Sequence, residues 1–271
     1  MNNIDWDFPK IGIVGLGFVG SAIRDSMGLG VPSNLILVDP PKGLPHTYKD
    51  LAQCEAIFIC VPSPSNDDGS CDTSILEETL EKLKDFNGVI ISKTTAPPSV
   101  YEALSKKYKN LVHAPEFLTA ANASKDYANG TFAIIGGSTS AYMREAERVI
   151  RWGQTGLKEV HYATAAEASL AKYAINCFLS TKVIFMNELY RVASTAGIDY
   201  NVITNLIKLD PRIGNSHMQV PGPDGAMGFG GMCFPKDTAA LLKWAEENGQ
   251  SLEVLNAAVK KNTLLRLTEP K

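Results

Sequence analysis

The architecture of this chain follows from one segment, Lys10-Ile11-Gly12-Ile13-Val14-Gly15-Leu16-Gly17-Phe18-Val19-Gly20. Its apolar start predicts a buried strand, the glycines have the spacing GxGxxG, and residues 21–27 read as a helix. We expect Gly15 to form a tight turn, Gly17 to let a pyrophosphate approach the backbone, and Gly20 to bring the helix close to the sheet. This order of strand, glycine turn and helix predicts a dinucleotide-binding unit.

A carboxylate at the end of the next strand specifies the dinucleotide. Residues 35–38 are Leu-Ile-Leu-Val, and Asp39 follows them about 20 residues after the last glycine, where a carboxylate can bind the ribose 2′-hydroxyl of NAD. The same charge repels the 2′-phosphate of NADP, and Lys42 is the nearby cation that could weaken this preference. The sequence therefore predicts NAD as the cofactor, bound by Gly15, Gly17, Phe18, Val19, Gly20 and Asp39.

Further strands and helices alternate along the first half of the chain. Strands are predicted at residues 56–61, 89–92, 111–113 and 132–135, with helices at 73–86 and 100–108 between them. Residues 164–196 contain neither Gly nor Pro and predict one long helix, and helices at 238–247 and 252–267 close the chain. The predicted fold class is α/β: an N-terminal doubly wound Rossmann domain (residues 1–162) followed by an all-α central dimerisation domain (residues 163–271).

Ligands of doubly wound sheets lie beyond the carboxyl ends of the strands, so the segments that follow the strands are candidate sites. These segments are Val61-Pro62-Ser63-Pro64, Lys93-Thr94-Thr95-Ala96-Pro97 and Ala114-Pro115-Glu116-Phe117-Leu118. Each one also has a purely structural interpretation: a proline-stiffened turn, a hydroxyl-stabilised turn and a helix-capping glutamate. We assign Val61, Pro62 and Thr95 to the cofactor site as a hypothesis.

One cysteine stands in a segment of unusual composition, Gly228-Phe229-Gly230-Gly231-Met232-Cys233-Phe234-Pro235-Lys236-Asp237. The glycines allow a ligand or backbone to come close to Cys233, and Lys236 can hold a positive charge near the sulfur and favour the thiolate. Asp237 can orient that lysine or a water molecule. Cys233 is thus a candidate nucleophile; the alternative is a buried structural cysteine in a glycine-rich turn.

The long predicted helix carries a second pair of polar candidates. Lys172 and Asn176 are four residues apart, so both side chains leave the same face of the helix. They stand within the mostly apolar run 170–178, and a lysine buried there requires a partner or a function. The alternative is a solvated lysine beside an exposed amide.

Composition limits the classes of function. The 271 residues are 45% hydrophobic and 20% charged with a net charge of −3, which gives no electrostatic basis for binding nucleic acid. The five cysteines are odd in number and form no CxxC pair, so we expect neither a disulfide framework nor a metal site. Residues 1–7 have no export signal, and no apolar run approaches the roughly 20 residues of a membrane span. We expect a cytoplasmic protein that does not bind membranes.

Six segments of this chain, taken in order, resemble the nucleotide-sugar 6-dehydrogenases of the UDP-glucose/GDP-mannose dehydrogenase family. They are the glycine fingerprint, Val61-Pro62-Ser63-Pro64, Lys93-Thr94-Thr95, Pro115-Glu116-Phe117-Leu118, Arg212-Ile213-Gly214 and the cysteine segment. Within this resemblance, the sequence Cys-Phe-Pro-Lys-Asp favours UDP-glucose as the sugar nucleotide. The resemblance implies that the C6 alcohol is oxidised to the acid in two steps with NAD, through a thiohemiacetal and a thioester on Cys233.

The resemblance also implies a role for each matched residue. Lys172 and Asn176 would stabilise the oxyanion at C6, Asp237 with Thr95 would hold or activate water, and Glu116 would assist thioester hydrolysis. Arg212 would reach the substrate of a neighbouring subunit, with the helix 164–196 as the homodimer interface. The substrate-binding residues implied in this way are Lys236, Phe117, Leu118, Arg212 and Gly230.

Two departures from the family pattern affect the cofactor site. The glutamate usual after the Pro-Glu-Phe-Leu run is replaced in Thr119-Ala120-Ala121, and the arginine usual before the Ile-Gly-Gly strand is replaced around Thr131-Phe132. Family members also continue into a UDP-binding domain, which the resemblance predicts to be lacking from these 271 residues, so a separate UDP-binding domain is a candidate partner. Three alternatives stay open: a hydroxyacid dehydrogenase resembling 3-hydroxyisobutyrate dehydrogenase, a non-catalytic NAD-binding dimer, and half of a split enzyme.

Overall fold

The computed structural model of the protein describes residues 9–28, 34–119 and 122–268. The predictions made for residues 1–7, for Ala120 and for Ala121 fall outside these ranges. The chain divides into two compact units. The first comprises Met1–Pro64 and Cys71–Lys172, and the second comprises Ser65–Ser70 and Tyr173–Lys271.

The first unit is built on a seven-stranded sheet with the order β2-β1-β3-β4-β5-β6-β7. Neighbouring strands are parallel except for the β5–β6 pair, which is antiparallel. The predicted doubly wound sheet is confirmed, with one antiparallel pair in a sheet that is otherwise parallel. The strands are β1 (Ile11–Val14), β2 (Leu35–Val38), β3 (Ala56–Ile59), β4 (Val89–Ser92), β5 (Leu111–His113), β6 (Phe132–Gly137) and β7 (Glu159–Ala163).

Helices cover both faces of this sheet because its central strands are apolar on both sides. One face packs on α1 (Phe18–Gly28), α4 (Ala123–Asn129) and α5 (Ser140–Gly153). The other face packs on α2 (Ser74–Lys82), α3 (Pro98–Lys107) and the first residue of α6 (Ala165–Thr195). The sheet order reverses between β1 and β3, so the crevice at the carboxyl ends of these two strands is where such folds bind ligands.

The second unit is helical. It contains the remainder of α6, then α7 (Tyr200–Ile207), α8 (Cys233–Glu247) and α9 (Glu253–Thr268). Within residues 65–70 and 173–268 the structure has no strand, and the predicted all-α domain is confirmed. Helix α6 agrees with its prediction to within one residue at each end. Helix α8 begins five residues earlier than predicted, because Pro235 lies in its first turn, where a missing backbone N–H leaves no helical bond unmade.

Candidate functional site

The glycine turn after β1 has the geometry that a dinucleotide requires. Gly15 has a φ of 86°, and a Cβ on it would lie 2.7 Å from the Cys60 carbonyl oxygen at the end of β3. A Cβ on Gly20 would lie 1.9 Å from the Gly15 oxygen, so α1 approaches the turn too closely for any side chain. A Cβ on Gly17 would meet nothing within 4 Å. The turn is therefore tight at its two ends and open at the middle glycine, where a ligand can reach the backbone.

Asp39 and Lys42 hold this turn from the neighbouring strand. Asp39 is buried at the end of β2, and its Oδ2 accepts a hydrogen bond of 2.7 Å from the Leu16 amide. The Lys42 ammonium donates to the Leu16 carbonyl, so the cation that sequence analysis placed near the cofactor is engaged by the turn. Phe18 and Val19 begin α1 beyond the turn, with Phe18 exposed. The residues present fit a dinucleotide with an unphosphorylated ribose; their individual roles stay predictions.

The segments after β3 and β4 are joined by hydrogen bonds. Thr94 Oγ1 donates to the Val61 carbonyl at 2.8 Å, and Ser63 Oγ donates to the Thr95 carbonyl at 2.6 Å. From α3, the Tyr101 hydroxyl donates to the Thr94 carbonyl at 2.5 Å. The backbone that carries Thr95 is thus fixed on both sides, while its half-buried hydroxyl forms no hydrogen bond within the described residues. Pro62 is exposed next to Val61.

Lys172 and Glu116 form a buried ion pair in the first unit. The Lys172 Nζ lies 3.0 Å from Glu116 Oε1 and also donates to the Glu116 carbonyl at 2.7 Å. Glu116 Oε2 accepts the Leu118 amide at 2.7 Å, and the ammonium lies 5.4 Å from the centre of the Phe117 ring. The lysine and glutamate side chains are only 3% and 9% exposed. The partner that a buried Lys172 requires is therefore Glu116, which sequence analysis proposed for a separate role.

Asp237 is the centre of a second buried cluster, in the second unit. It is 1% exposed; its Oδ2 accepts Asn176 Nδ2 at 2.6 Å, and its Oδ1 accepts Lys236 Nζ at 2.6 Å. The Cys177 thiol donates to the Asp237 carbonyl at 3.6 Å, and burial raises the pKa of that thiol to about 12. Asn176 and Lys236 thus both donate to one carboxylate. The two predicted oxyanion donors bind different carboxylates, Lys172 that of Glu116 in the first unit and Asn176 that of Asp237 in the second.

Cys233 is the first residue of α8 and is exposed. The helix predicted from residue 238 starts at Cys233 instead, so the segment from Cys233 to Asp237 is helical. The N-terminus of a 15-residue helix carries a partial positive charge that favours a thiolate. Of the two interpretations of this cysteine, the structure excludes the buried one.

Three polar side chains hold the glycine loop before Cys233, and sequence analysis missed all of them. Asn187 Oδ1 accepts the Gly228 amide at 2.9 Å, and Asn262 Oδ1 accepts the Phe229 amide at 2.7 Å. The Arg266 guanidinium donates to the carbonyls of Phe229 and Gly228, each at 3.1 Å. A Cβ on Gly230 would lie 2.9 Å from this guanidinium. A polar residue in an otherwise apolar helical face was the signal available for Asn187 and Asn262.

Arg212 lies on the surface of the second unit. Its side chain is 86% exposed and its Nε donates to Asp210 Oδ1 at 2.9 Å. This arrangement leaves the proposed contact with a neighbouring subunit a prediction. In the described ranges, no three His, Cys, Asp or Glu side chains are grouped so that they could hold a metal ion, and no helix is long and apolar enough to cross a membrane.

Sequence comparison matches the two parts of the chain to two domains of one family. Residues 44–152 match the NAD-binding domain of the UDP-glucose/GDP-mannose dehydrogenase family, and residues 166–264 match its central domain. The chain is 31% identical over 235 residues to the UDP-glucose 6-dehydrogenase AglM of Haloferax volcanii, an alignment that covers 79% of this chain and 54% of that protein. The chain spans about half the length of the curated relatives it matches.

Solved structures share the fold. A UDP-glucose dehydrogenase from Pyrobaculum islandicum aligns with a TM-score of 0.80 and 22% identity, covering 97% of this chain and 70% of that one. A 3-hydroxyisobutyrate dehydrogenase from Mycobacterium tuberculosis aligns with a TM-score of 0.75 and 16% identity, covering 96% of this chain and 94% of that one. At these identities the likeness extends to the fold alone.

Proposed function

Because this chain belongs to the UDP-glucose/GDP-mannose dehydrogenase family and its first unit is the family's NAD-binding domain, we propose that it oxidises the C6 alcohol of UDP-glucose to the acid with NAD. The observation that carries the proposal is the exposed Cys233 at the start of α8, one turn from the buried carboxylate of Asp237. A helix N-terminus activates a thiol, and a single hydride transfer requires no nucleophile.

In the proposed reaction, NAD held by Gly15, Gly17, Gly20 and Asp39 would supply the hydride acceptor for each of the two oxidations at C6. Between them, Cys233 Sγ bonds to the aldehyde carbon and gives a thiohemiacetal, which becomes a thioester when the second hydride leaves. Water then cleaves the thioester, which releases the acid and returns the thiol. The covalent bond keeps the aldehyde on the protein until it is fully oxidised.

The polar clusters supply the remaining roles. Asn176 and Lys172 stabilise negative charge on the C6 oxygen, an interaction commonly worth about 3 kcal/mol per donor. Asp237, held by Asn176 and Lys236, orients or activates water with the Thr95 hydroxyl, and Glu116 assists hydrolysis of the thioester. Substrate contacts are assigned to Lys236, Phe117, Leu118, Gly230 and, from a second subunit, Arg212.

We also propose a homodimer through α6. Phe178, Phe185 and Val192 are spaced by seven residues on this helix and are 69%, 61% and 65% exposed. Side chains seven residues apart lie on one face of a helix, so these three form an apolar stripe in the second unit. A second copy of the same stripe would bury it in a symmetric interface.

The test is NADH formation from UDP-glucose by wild-type chain, Cys233→Ser and the control Met232→Ala, followed by intact mass after an acid quench. We expect two NADH per acid and a covalent sugar adduct in the wild type and in the control. Serine is a poorer nucleophile and a poorer leaving group than cysteine, so acid formation by Cys233→Ser should stall. Acid formation by Cys233→Ser at the wild-type rate would show that Cys233 has no part in the chemistry.

The same assay separates the alternatives. A hydroxyacid dehydrogenase would form one NADH from a small hydroxyacid and be insensitive to Cys233→Ser. Without the contacts of a UDP-binding domain, we expect a high KM for UDP-glucose and a lowered kcat, because remote binding energy also positions C6. Turnover that appears only on adding a separately expressed UDP-binding domain would identify half of a split enzyme. NAD binding without turnover, both with and without that added domain, would identify a non-catalytic protein.

A further inference from the structure

A cavity of about 350 Å³ lies in the first unit beside the segment that follows β5. Phe117, Leu118 and Phe132 form an apolar wall, with the rings of Phe117 and Phe132 4.9 Å apart. Lys93 and Tyr127 also line it. Ligand pockets measure roughly 300–1,000 Å³ and combine apolar walls with a few convergent polar groups. The cavity therefore has the size and lining of a site for a small organic molecule.

Two polar side chains in this lining make no hydrogen bond to any described residue. Lys93 is 5% exposed, and its ammonium lies 5.7 Å from the centre of the Tyr127 ring but donates no hydrogen bond to any described residue. The Tyr127 hydroxyl is also buried without a hydrogen-bond partner in the described part of the chain. Buried polar groups without partners are costly and rare in native proteins. Both groups can donate, so what they lack is an acceptor.

The residues around Lys93 do not neutralise it. Burial raises the pKa of the Cys60 thiol to about 12 and lowers that of the His113 imidazole to about 3, so both are neutral at pH 7. The carboxylate near Lys93 is Glu116, whose oxygens already accept Lys172 and the Leu118 amide. Burial lowers the pKa of Lys93 to about 8, which leaves it mostly protonated at pH 7. Lys93 is thus a largely buried cation whose ammonium donates no hydrogen bond within the described ranges.

The other charges of the lining limit the ligand to a single negative charge. Glu116 and Asp126 are both in the wall, and Asp126 is held by the Thr119 amide at 2.8 Å. Two carboxylates disfavour a doubly charged phosphate, whereas one lysine balances one carboxylate. We propose that the cavity binds a small organic monocarboxylate, with its oxygens on Lys93 and Tyr127 and its body against Phe117 and Phe132.

This site is separate from the predicted cofactor residues. None of the residues assigned to NAD, from Gly15 to Thr95, lines the cavity, whereas Glu116 of the proposed catalytic residues and Phe117 and Leu118 of the proposed substrate contacts do. The proposal rests on the cavity and its two donors, so it does not depend on the oxidation of a nucleotide sugar.

The experiment is calorimetric titration of the full chain at pH 7 with sodium benzoate, whose flat ring suits the Phe117 and Phe132 wall. The matched uncharged probe is benzamide, and inorganic sulfate is the doubly charged one. We expect one benzoate per chain, at least tenfold weaker binding of benzamide, and no binding of sulfate. Lys93→Met should weaken benzoate binding at least tenfold and Tyr127→Phe about threefold. The control Lys125→Met, an exposed lysine on α4, should bind benzoate like the wild type.

Two further measurements use the wild type alone and do not depend on how the variants fold. Raising the pH from 7 to 10 should weaken benzoate binding at least tenfold as Lys93 loses its proton. Saturating NAD should leave the benzoate affinity unchanged. Wild-type benzoate affinity in Lys93→Met, sulfate binding as tight as benzoate binding, or a benzoate affinity that stays constant from pH 7 to 10 would each overturn the proposal. Displacement by NAD would also overturn it, since the cavity would then be one end of the cofactor site.

Discussion

Replacing Lys172 with Met should destabilise the first unit more than most single substitutions do. The ammonium donates to Glu116 Oε1 at 3.0 Å and to the Glu116 carbonyl at 2.7 Å, and both side chains are almost fully buried. Removing one partner of a buried pair leaves an uncompensated charge and costs about 3–5 kcal/mol. With an m-value of about 2 kcal/mol per molar urea, this lowers the unfolding midpoint by roughly 2 M.

A double-mutant cycle separates the pair from its surroundings. Glu116→Gln keeps one oxygen, which can accept from Lys172 or from the Leu118 amide but cannot replace both carboxylate oxygens, so one donor loses its acceptor. It should cost less than Lys172→Met, about 1–3 kcal/mol. In Lys172→Met with Glu116→Gln no buried charge remains, so the combined loss should be smaller than the sum of the single losses by at least 1 kcal/mol, a value typical of coupled sites. The exposed Lys125→Met should stay within about 0.5 kcal/mol of the wild type.

Urea unfolding followed by circular dichroism at pH 7 measures all four variants. Additive losses within about 0.5 kcal/mol would refute the reasoning, because they would mean that the two side chains do not interact energetically. A Lys172→Met loss no larger than that of Lys125→Met would refute it too.

Three other outcomes are expected. Isothermal titration should show that the wild type binds NAD more tightly than NADP, and Asp39→Asn, which keeps an oxygen for the Leu16 amide, should lower the ratio of the two affinities about tenfold. A wild type that prefers NADP contradicts the assignment of Asp39. Light scattering should show a dimeric wild type, a monomeric Phe185→Glu and a dimeric control Leu264→Glu, whose leucine is exposed on α9. A monomeric wild type contradicts the proposed interface. Burial holds the pKa of His113 at about 3, below its ordinary 6.5. The free energy of unfolding that depends on this neutral imidazole is therefore complete above pH 6.5 and falls as the pH drops toward 3, by up to about 1.4 kcal/mol per pH unit. His113→Phe should flatten that part of the pH profile of urea unfolding, and equal slopes in both proteins contradict the buried neutral imidazole.

Local patterns sufficed to predict most of the fold. The apolar runs gave six strands, and the absence of Gly and Pro gave α6, because these signals depend on residues close in the chain. Strand β7 was missed because Glu159–Ala163 is a partly exposed edge strand without a buried apolar pattern. The antiparallel direction of β6 was missed because the composition of a strand does not specify its direction.

The candidate site was predictable in its residue types and not in its pairings. Cys233, Lys172 and Asp237 stand out because each is a reactive or charged residue in an unusual local context. The partner of Lys172 is 56 residues away and the Asn176–Asp237 contact spans 61 residues, so both depend on the tertiary fold. The predicted start of this helix, residue 238, is five residues later than the observed start at Cys233, and Pro235 is compatible with the observed start because the first turn of a helix accepts a proline.

The fit between Gly228 and Asn262 has a consequence for how relatives of this chain can diverge. A Cβ on Gly228 would lie 2.3 Å from Asn262 Oδ1, and the glycine has a φ of 75°, so the two residues share one small volume. The same oxygen accepts a hydrogen bond from the Phe229 amide. A smaller residue at position 262 that lacks this oxygen would leave the amide without its acceptor. A side chain at position 228 and the loss of the oxygen at position 262 are therefore each disfavoured, and homologous sequences should keep glycine at 228 together with an oxygen-bearing side chain at 262.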